Sequence, residues 1–556
     1  MHFEIPKTAS AVQLTGPDEL TLNRHKPVPA PGPYQILCKV EAVGLCFSDL
    51  KLLKQFADHA RKADILSGID RKILDEMPNY VPDDKPTVPG HETVVRIAAL
   101  GDKVKGVNLG SRYLVQTDYR WLPTPNSTAS FGYNFEGGLQ QYVLMDQRVI
   151  TSPGGELFLL PAAESLSASA IALVEPWACV EEAYAVNERT TLKTGGQMLL
   201  VVDAEFDEKK FAQFLNQYGR PAKITWLSQS TAPGELDVEV VAAQNLAQLP
   251  DAAFDDVVYF GADPETVESL FAKIAPGGLL NIVRGKGRFD RPVASAVGRV
   301  HYGCIRIIGT VGSDPADAMQ YIPPTGQIYA GDCINVIGAG GPMGVMHVIR
   351  NICQNVEDLT IYAGDLDQQR LTLLSRIAQP MAEARGVAYI PYDPARNAMK
   401  ASFNYVVLLA PIPKLVAAAV ADAAPNAIIN IFAGIPAHIT GDIDLDTYIE
   451  KHCYFIGTSG SVLSDMKTVL AGVEAGSLNT DISVAAVTGL DGAVDGIGAV
   501  ENHLIPGKII VYPTCEGLPL TPLEKLAETL PDVAAQLDDG LWNIKAEKAL
   551  LKHYSK

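Results

Sequence analysis

Two sets of residues in this sequence are of types and spacings that carry chemistry. The first lies in the leading third of the chain: Cys46 within Gly44-Leu45-Cys46-Phe47-Ser48-Asp49, His91 and Glu92 within Pro89-Gly90-His91-Glu92, and Glu175 within Val174-Glu175-Pro176. A thiolate, an imidazole and one or two carboxylates make a zinc shell with one position left open to a reactant. Each residue alone has a plainer reading: Cys46 as a small core residue, His91 as a turn histidine, Glu175 as an acid at a helix start. Their joint occurrence ahead of a nucleotide motif favours the metal.

That motif runs from Asp332 to Gly344. A short apolar strand (334–337) enters a cluster holding Gly338, Gly340, Gly341, Met343 and Gly344, and a helical run (345–353) follows. Glycines there allow a tight turn, bring backbone amides close to a pyrophosphate and let helix pack on strand. A second strand (359–363) delivers Asp365, 365 − 344 = 21 residues past the last glycine, about the distance at which an acid meets a ribose hydroxyl. The cluster has one residue too many for a strict G-x-G-x-x-G, and its rival reading is a glycine-rich turn in an ordinary α/β unit. Asp365 in place of an arginine favours NAD over NADP.

The elements that must position these groups fit a chain of 556 residues, long enough for about three domains. With 47% hydrophobic residues and a mean hydropathy of +0.10, it can bury large cores. A net charge of −19 repels phosphate backbones and anionic lipid, excluding nucleic acid and membrane as partners. Eight scattered cysteines without a C-x-x-C pair suit a reducing compartment. The first residues show no signal-like apolar core, and the most apolar helical run, 415–424, is cut short by Lys414, Asp422 and Pro425. The expectation is a cytoplasmic protein.

Residues 1 to about 155 alternate short apolar segments (35–43, 93–99) with turn signals at Pro31-Gly32, Gly101-Asp102 and Gly137-Gly138, which reads as a β-rich domain. From about 195 the chain runs through one unit twice. The segment beginning at Phe254 matches that beginning at Phe403, an offset of 149, and Gly309-Thr-Val-Gly-Ser matches Gly457-Thr-Ser-Gly-Ser at 148. Strands alternating with helices imply parallel, doubly wound sheets. The first copy carries Val201-Val202-Asp203-Ala204-Glu205-Phe206-Asp207 where the second has its glycines. Its second strand (224–227) ends in Ser228 and Gln229, with no acid for a ribose. The expectation is a copy that keeps the fold and has lost the dinucleotide.

The segments Gly-Leu-Cys-x-Ser-Asp (44–49), Pro-Gly-His-Glu (89–92), Glu-Gly-Gly-Leu-Gln-Gln-Tyr-Val (136–143) and Val-Glu-Pro (174–176), in this order, resemble the zinc-dependent medium-chain dehydrogenase/reductase family, and most closely its sorbitol (polyol) dehydrogenase branch. The resemblance implies an α/β fold with a GroES-like β-rich catalytic domain over 1–185, completed by about 480–515. Two tandem Rossmann-like doubly wound domains follow, a degenerate one at 195–320 and an NAD-binding one at 325–475, with a C-terminal helical extension at 516–556. It implies Cys46, His91 and Glu175 around a catalytic zinc, with Glu92 as an additional or exchanging ligand. Ser48 would relay the hydroxyl proton, with Lys51 standing where many relatives carry the outer histidine of the relay. The nicotinamide end would meet Ala433-Gly434 and Thr458-Ser459. The family's structural-zinc lobe carries four cysteines, and the corresponding stretch here (115–134) has none, so no structural zinc is expected.

The implied activity is hydride transfer between NAD(H) and a secondary alcohol or ketone of a sugar or polyol, in a homo-oligomer. Alternatives are a phosphorylated-ketose reductase, a transiently oxidising NAD-dependent lyase or epimerase, and a non-catalytic binding protein. Between Cys46 and His91 lie 91 − 46 − 1 = 44 residues, more than the family usually shows. The excess holds His59, Arg61, Lys62, Arg71 and Lys72, read either as a basic face for a phosphate or carboxylate or as a solvated surface helix. In the tail, Thr521, Pro522 and Glu524 predict a capping box at a helix start, and Leu541 and Trp542 a second helical run that docks on the body or on a partner.

Overall fold

Strand Gln35–Gly44 is apolar at most positions and buried along nearly its whole length, as a central strand must be. In the computed structural model, which describes residues 4–234, 236–396 and 401–555, it lies at the heart of an eight-stranded mixed sheet. The extreme N-terminal residues 1–3, part of the stretch read for a signal segment, lie outside the described residues. The described residues form two units, Met1–Cys179 with Gly460–Lys556, and Val180–Ser459.

In the first unit, Gln35–Gly44 pairs antiparallel with Glu92–Leu100 and Tyr142–Asp146, and at its end with the C-terminal strand Lys508–Val511 through Ile510↔Gly44 and Val511↔Val43. The register sets Gly44 opposite Glu92. Cys46 and His91, just beyond these two strand ends, therefore emerge on one edge of the sheet.

The tail departs from its sequence reading. Thr521 caps no helix: it forms a two-residue strand with Pro522, pairs with Val487, and its hydroxyl donates to Pro519 O. Pairing with a strand more than thirty residues away satisfied backbone groups that a local rule assigned to a cap. Trp542 precedes rather than joins the last helix, Ile544–Tyr554. It docks on the body, its indole N–H reaching Ser169 Oγ (3.1 Å) and Tyr512 Oη (3.0 Å). Glu547 fastens the same helix by accepting from the Ala168 and Ser169 amides.

The second unit holds two six-stranded parallel sheets. The first comprises Gln197–Val202, Lys223–Ser228, Glu239–Ala242, Phe254–Phe260, Ile274–Val283 and Arg306–Thr310; the second Cys333–Ile337, Thr360–Gly364, Ala388–Tyr392, Phe403–Leu408, Ala423–Ile431 and Tyr454–Ile456. Numbered along the chain, both run 3-2-1-4-5-6 across the sheet, the doubly wound order whose crevice lies at the paired strands 1 and 4, where the connections leave in opposite directions. The duplication seen in the sequence is therefore a duplication of fold. Between the copies Val293–Ser295 pairs antiparallel with Gly441–Ile443, setting Ala294 against Asp442. Since 442 − 294 = 148, the offset that relates Gly309 to Gly457, these are equivalent positions meeting each other, the signature of a two-fold relation inside one chain. One continuous apolar core joins the copies, from Leu199 and Val257 through Val406 and Ile429. Tyr448 Oη donates across it to Ile307 O (2.8 Å). No helix among the described residues is long and apolar enough to cross a membrane.

Candidate active site

The edge of the first unit's sheet builds a candidate metal site. Helix Phe47–Gln55 begins where strand Gln35–Gly44 ends, with Cys46 as its N-cap residue. Asp49, one turn in, holds both sides of the cluster: its Oδ2 accepts from Cys46 N (3.0 Å), and its Oδ1 lies 3.1 Å from His91 Nδ1 and accepts from Gly90 N (3.3 Å). A carboxylate on Nδ1 leaves Nε2 as the nitrogen able to bind a metal. Donor atoms of Cys46, His91 and Glu92 all lie within 4.8 Å of one another.

Glu92 is fully buried, with Lys508 Nζ 2.5 Å from Oε1 and no partner for Oε2. A buried carboxylate oxygen without a donor is costly unless something cationic meets it. A Cβ on Gly44 would stand 2.0 Å from that oxygen, so only glycine lets Glu92 tuck in here. Burial opposes the charge of Lys508, but Glu92, Cys46 and Glu175 outweigh it and hold the ammonium above its usual range. Thiolate, imidazole and carboxylate around an orphaned oxygen fit a zinc ion.

Glu175, on helix Val174–Ala185, stands outside that donor set, and its Oε1 faces Cys179 Sγ at 3.7 Å. Burial pushes its carboxyl up to about 7. Ser48 and Lys51 lie on the helix that starts at Cys46, both half-buried.

The second sheet of the other unit carries a candidate dinucleotide cradle. Gly338 follows strand Cys333–Ile337 with φ +88°, and Gly341 is the N-cap of helix Pro342–Cys353, with no side-chain cap. The helix N-terminal amides, the positive end of its dipole, thus lack an anion from the chain itself. A Cβ on Gly344 would stand 2.3 Å from Gly338 O, and one on Gly340 2.6 Å from Arg370 Cβ. Met343 is half-buried in the first turn. Asp365 Oδ2 accepts from Gly340 N (2.9 Å), so the acid already sits beside the cradle. Ala433 donates its amide to Leu408 O (2.8 Å), Gly434 follows it in the open, and Thr458 and Ser459 follow the sixth strand. Thr458 is buried with no partner for Oγ1. These residues all leave the same ends of parallel strands. The cradle fits a dinucleotide.

Sequence reasoning assigned no role to Asp49, Lys508 or Tyr133. Asp49 lay inside a quoted motif. Lys508 left one signal: a lone charge opening an apolar strand demands a buried partner. Tyr133, whose ring stands 5.8 Å from that of His91, left none.

Residues 32–153 match the model of the alcohol dehydrogenase GroES-like domain. The chain is 25% identical over 317 residues to the uncharacterized protein YggP of Escherichia coli (strain K12), spanning 50% of this chain and 71% of that one. It is 26% identical over 229 residues to L-sorbose 1-phosphate reductase of Klebsiella pneumoniae, spanning 39% of this chain and only 54% of the relative. The fold of 2R,3R-butanediol dehydrogenase from Bacillus subtilis superposes with a TM-score of 0.51 at 14% identity, covering 91% of this chain and 99% of that one. Residues 32–153 thus match an alcohol dehydrogenase GroES-like domain, and the chain is similar in sequence to a sugar-phosphate reductase and in fold to a butanediol dehydrogenase.

Proposed function

We propose that the protein transfers hydride between NAD(H) and a secondary alcohol or ketone of a polyol or sugar. The observation that carries this reading is the orphaned, buried Glu92 oxygen beside Cys46 and His91, in a chain that also holds an uncapped glycine cradle. The relative named as a sorbose 1-phosphate reductase supports the sugar class.

Cys46, His91 and Glu92 would hold one zinc ion, with Glu175 beside them as a further carboxylate. Bound there, zinc supplies Lewis acidity toward the substrate oxygen. Asp49 orients Cys46 and His91, and Lys508 fixes the resting position of Glu92. Ser48 takes the hydroxyl proton and passes it outward through water or Lys51. Gly338, Gly340, Gly341, Met343 and Gly344 leave room for the pyrophosphate, Asp365 receives the ribose hydroxyls, and Ala433, Gly434, Thr458 and Ser459 line the nicotinamide end. Asp365 selects NAD over NADP. A homo-oligomer belongs to this proposal, and sedimentation checks it.

The test is a screen of polyols, sugars and their phosphates on zinc-loaded protein, following the absorbance of reduced nicotinamide. Accumulation of NADH with one class is expected. Product formation without it would assign transient oxidation instead, and absence of stoichiometric zinc would remove the metal from the account.

A further inference from the structure

The cations of the long segment between Cys46 and His91 divide into two groups. Lys62 is fully buried and donates from Nζ to the carbonyls of Val81, Asp83 and Lys85, tying the loop to itself. Arg71 pairs at the surface with Asp64 and Asp75. Both serve the loop's own structure.

His59 and Arg61 turn the other way, toward the metal site. The Tyr133 ring is their common neighbour: its centroid lies 5.0 Å from that of His59, 5.8 Å from that of His91 and 5.5 Å from the Arg61 guanidinium carbon. Asp118, itself held by Ser130 Oγ at 2.9 Å, accepts from Arg61 Nη1 at 2.7 Å and Nη2 at 3.5 Å and so aims the guanidinium. A guanidinium has five N–H donors in a planar fork, and one carboxylate leaves part of that fork for a second anion. His59 Nδ1 accepts the Arg61 amide (3.2 Å), which puts the hydrogen of the neutral ring on Nε2. The ring is kept neutral, its pKa lowered to about 4, by burial and by the charges of Arg61, Lys51 and His91. Arg120, donating to Ser461 O, stands close by: a Cβ on Gly460 would stand 2.9 Å from Asp118 Oδ2, 3.8 Å from Arg120 Nη2 and 4.0 Å from Arg61 Nη2, so two guanidinium groups share this place with one carboxylate.

We infer that the substrate is a phosphate monoester of a polyol or ketose, and that Arg61, with His59 and Arg120, holds its phosphate while the sugar reaches the metal. This rests on the dehydrogenase reading above. A phosphate monoester brings nearly two negative charges and three acceptor oxygens at neutral pH, which suits donors converging from several directions better than a neutral sugar or a singly charged sugar acid.

The experiment compares a ketose phosphate, the free ketose and the corresponding sugar acid on the full-length, zinc-loaded protein, beside calorimetric binding of the ketose phosphate to zinc-free protein. The phosphate ester is expected to exceed both others about 100-fold in kcat/KM. Arg61→Met should lower kcat/KM for the ester about 100-fold, mainly through KM, and abolish calorimetric binding. Arg61→Lys should restore part of both. Because Arg61 also pairs with Asp118, His59→Ala, which leaves that pair intact, serves as the second variant and should cost the ester about 10-fold. Equal use of the free ketose, preference for the sugar acid, or a phosphate preference that survives both Arg61→Met and His59→Ala overturns the inference. Absence of any NADH oxidation with the ketose phosphate or the free ketose, while the ester still binds, would instead sink the dehydrogenase reading and leave the phosphate site standing.

Discussion

The two nucleotide-binding folds share a strand order and a ladder register yet differ in the few residues after their first strand. In the first copy helix Glu208–Tyr218 is capped by Asp207, whose carboxylate accepts from the Lys209 and Lys210 amides at 3.0 and 3.1 Å. Phe206 packs against Phe211, Trp226 and Phe260, with ring centroids 5.5, 5.2 and 5.2 Å away. The positive end of that helix has its anion already, and an aromatic ring fills the turn. In the second copy the same end is capped by Gly341, without a side chain. The sheet is held by apolar strands and tolerates either ending. On the proposed reading, what stands at this one helix N-terminus decides which copy receives a dinucleotide.

The comparison can be broken most forcefully in the second copy. Gly344→Val would drive carbon into two backbone oxygens, so NADH affinity should fall by about 1000-fold in a fluorescence titration, with a melting cost of about 1–3 kcal/mol. Asp365→Ala should weaken NADH about 10- to 100-fold by calorimetry while NADPH changes less, because the ribose loses its acceptor. An equal loss for both nucleotides would remove the ribose role. In the first copy the same class of change should touch stability alone. Phe206→Ala should cost about 2 kcal/mol, less than a fully buried ring because Phe206 is half-buried, and should leave NADH affinity within about 2-fold. Asp207→Ala should cost about 1 kcal/mol as a lost cap, again without effect on NADH. A gain of nucleotide binding in either variant would show the first copy to be blocked rather than lost.

Much of this was legible in the sequence, because strand periodicity, the glycine cluster, Asp365 and the 148- to 149-residue repeat are local or self-similar signals. Cys46, His91 and Glu92, which the structure brings together, were legible through their motifs, whereas Glu175 stands outside their donor set. What stayed hidden depends on pairing across long distances. Lys508 meets Glu92 from 416 positions away. Thr521 satisfied every local rule for a helix cap and was taken by Val487 instead. The basic segment read as one face divides into buried, surface and site-facing cations only once Tyr133 and Asp118 are in place.

The account turns on a single working nucleotide site, and the number of NADH molecules bound per chain tests it most directly. Calorimetry on the full-length protein should give one, lost in Gly344→Val and kept in Phe206→Ala. Two per chain, or one that survives Gly344→Val and disappears with Phe206→Ala, would contradict it.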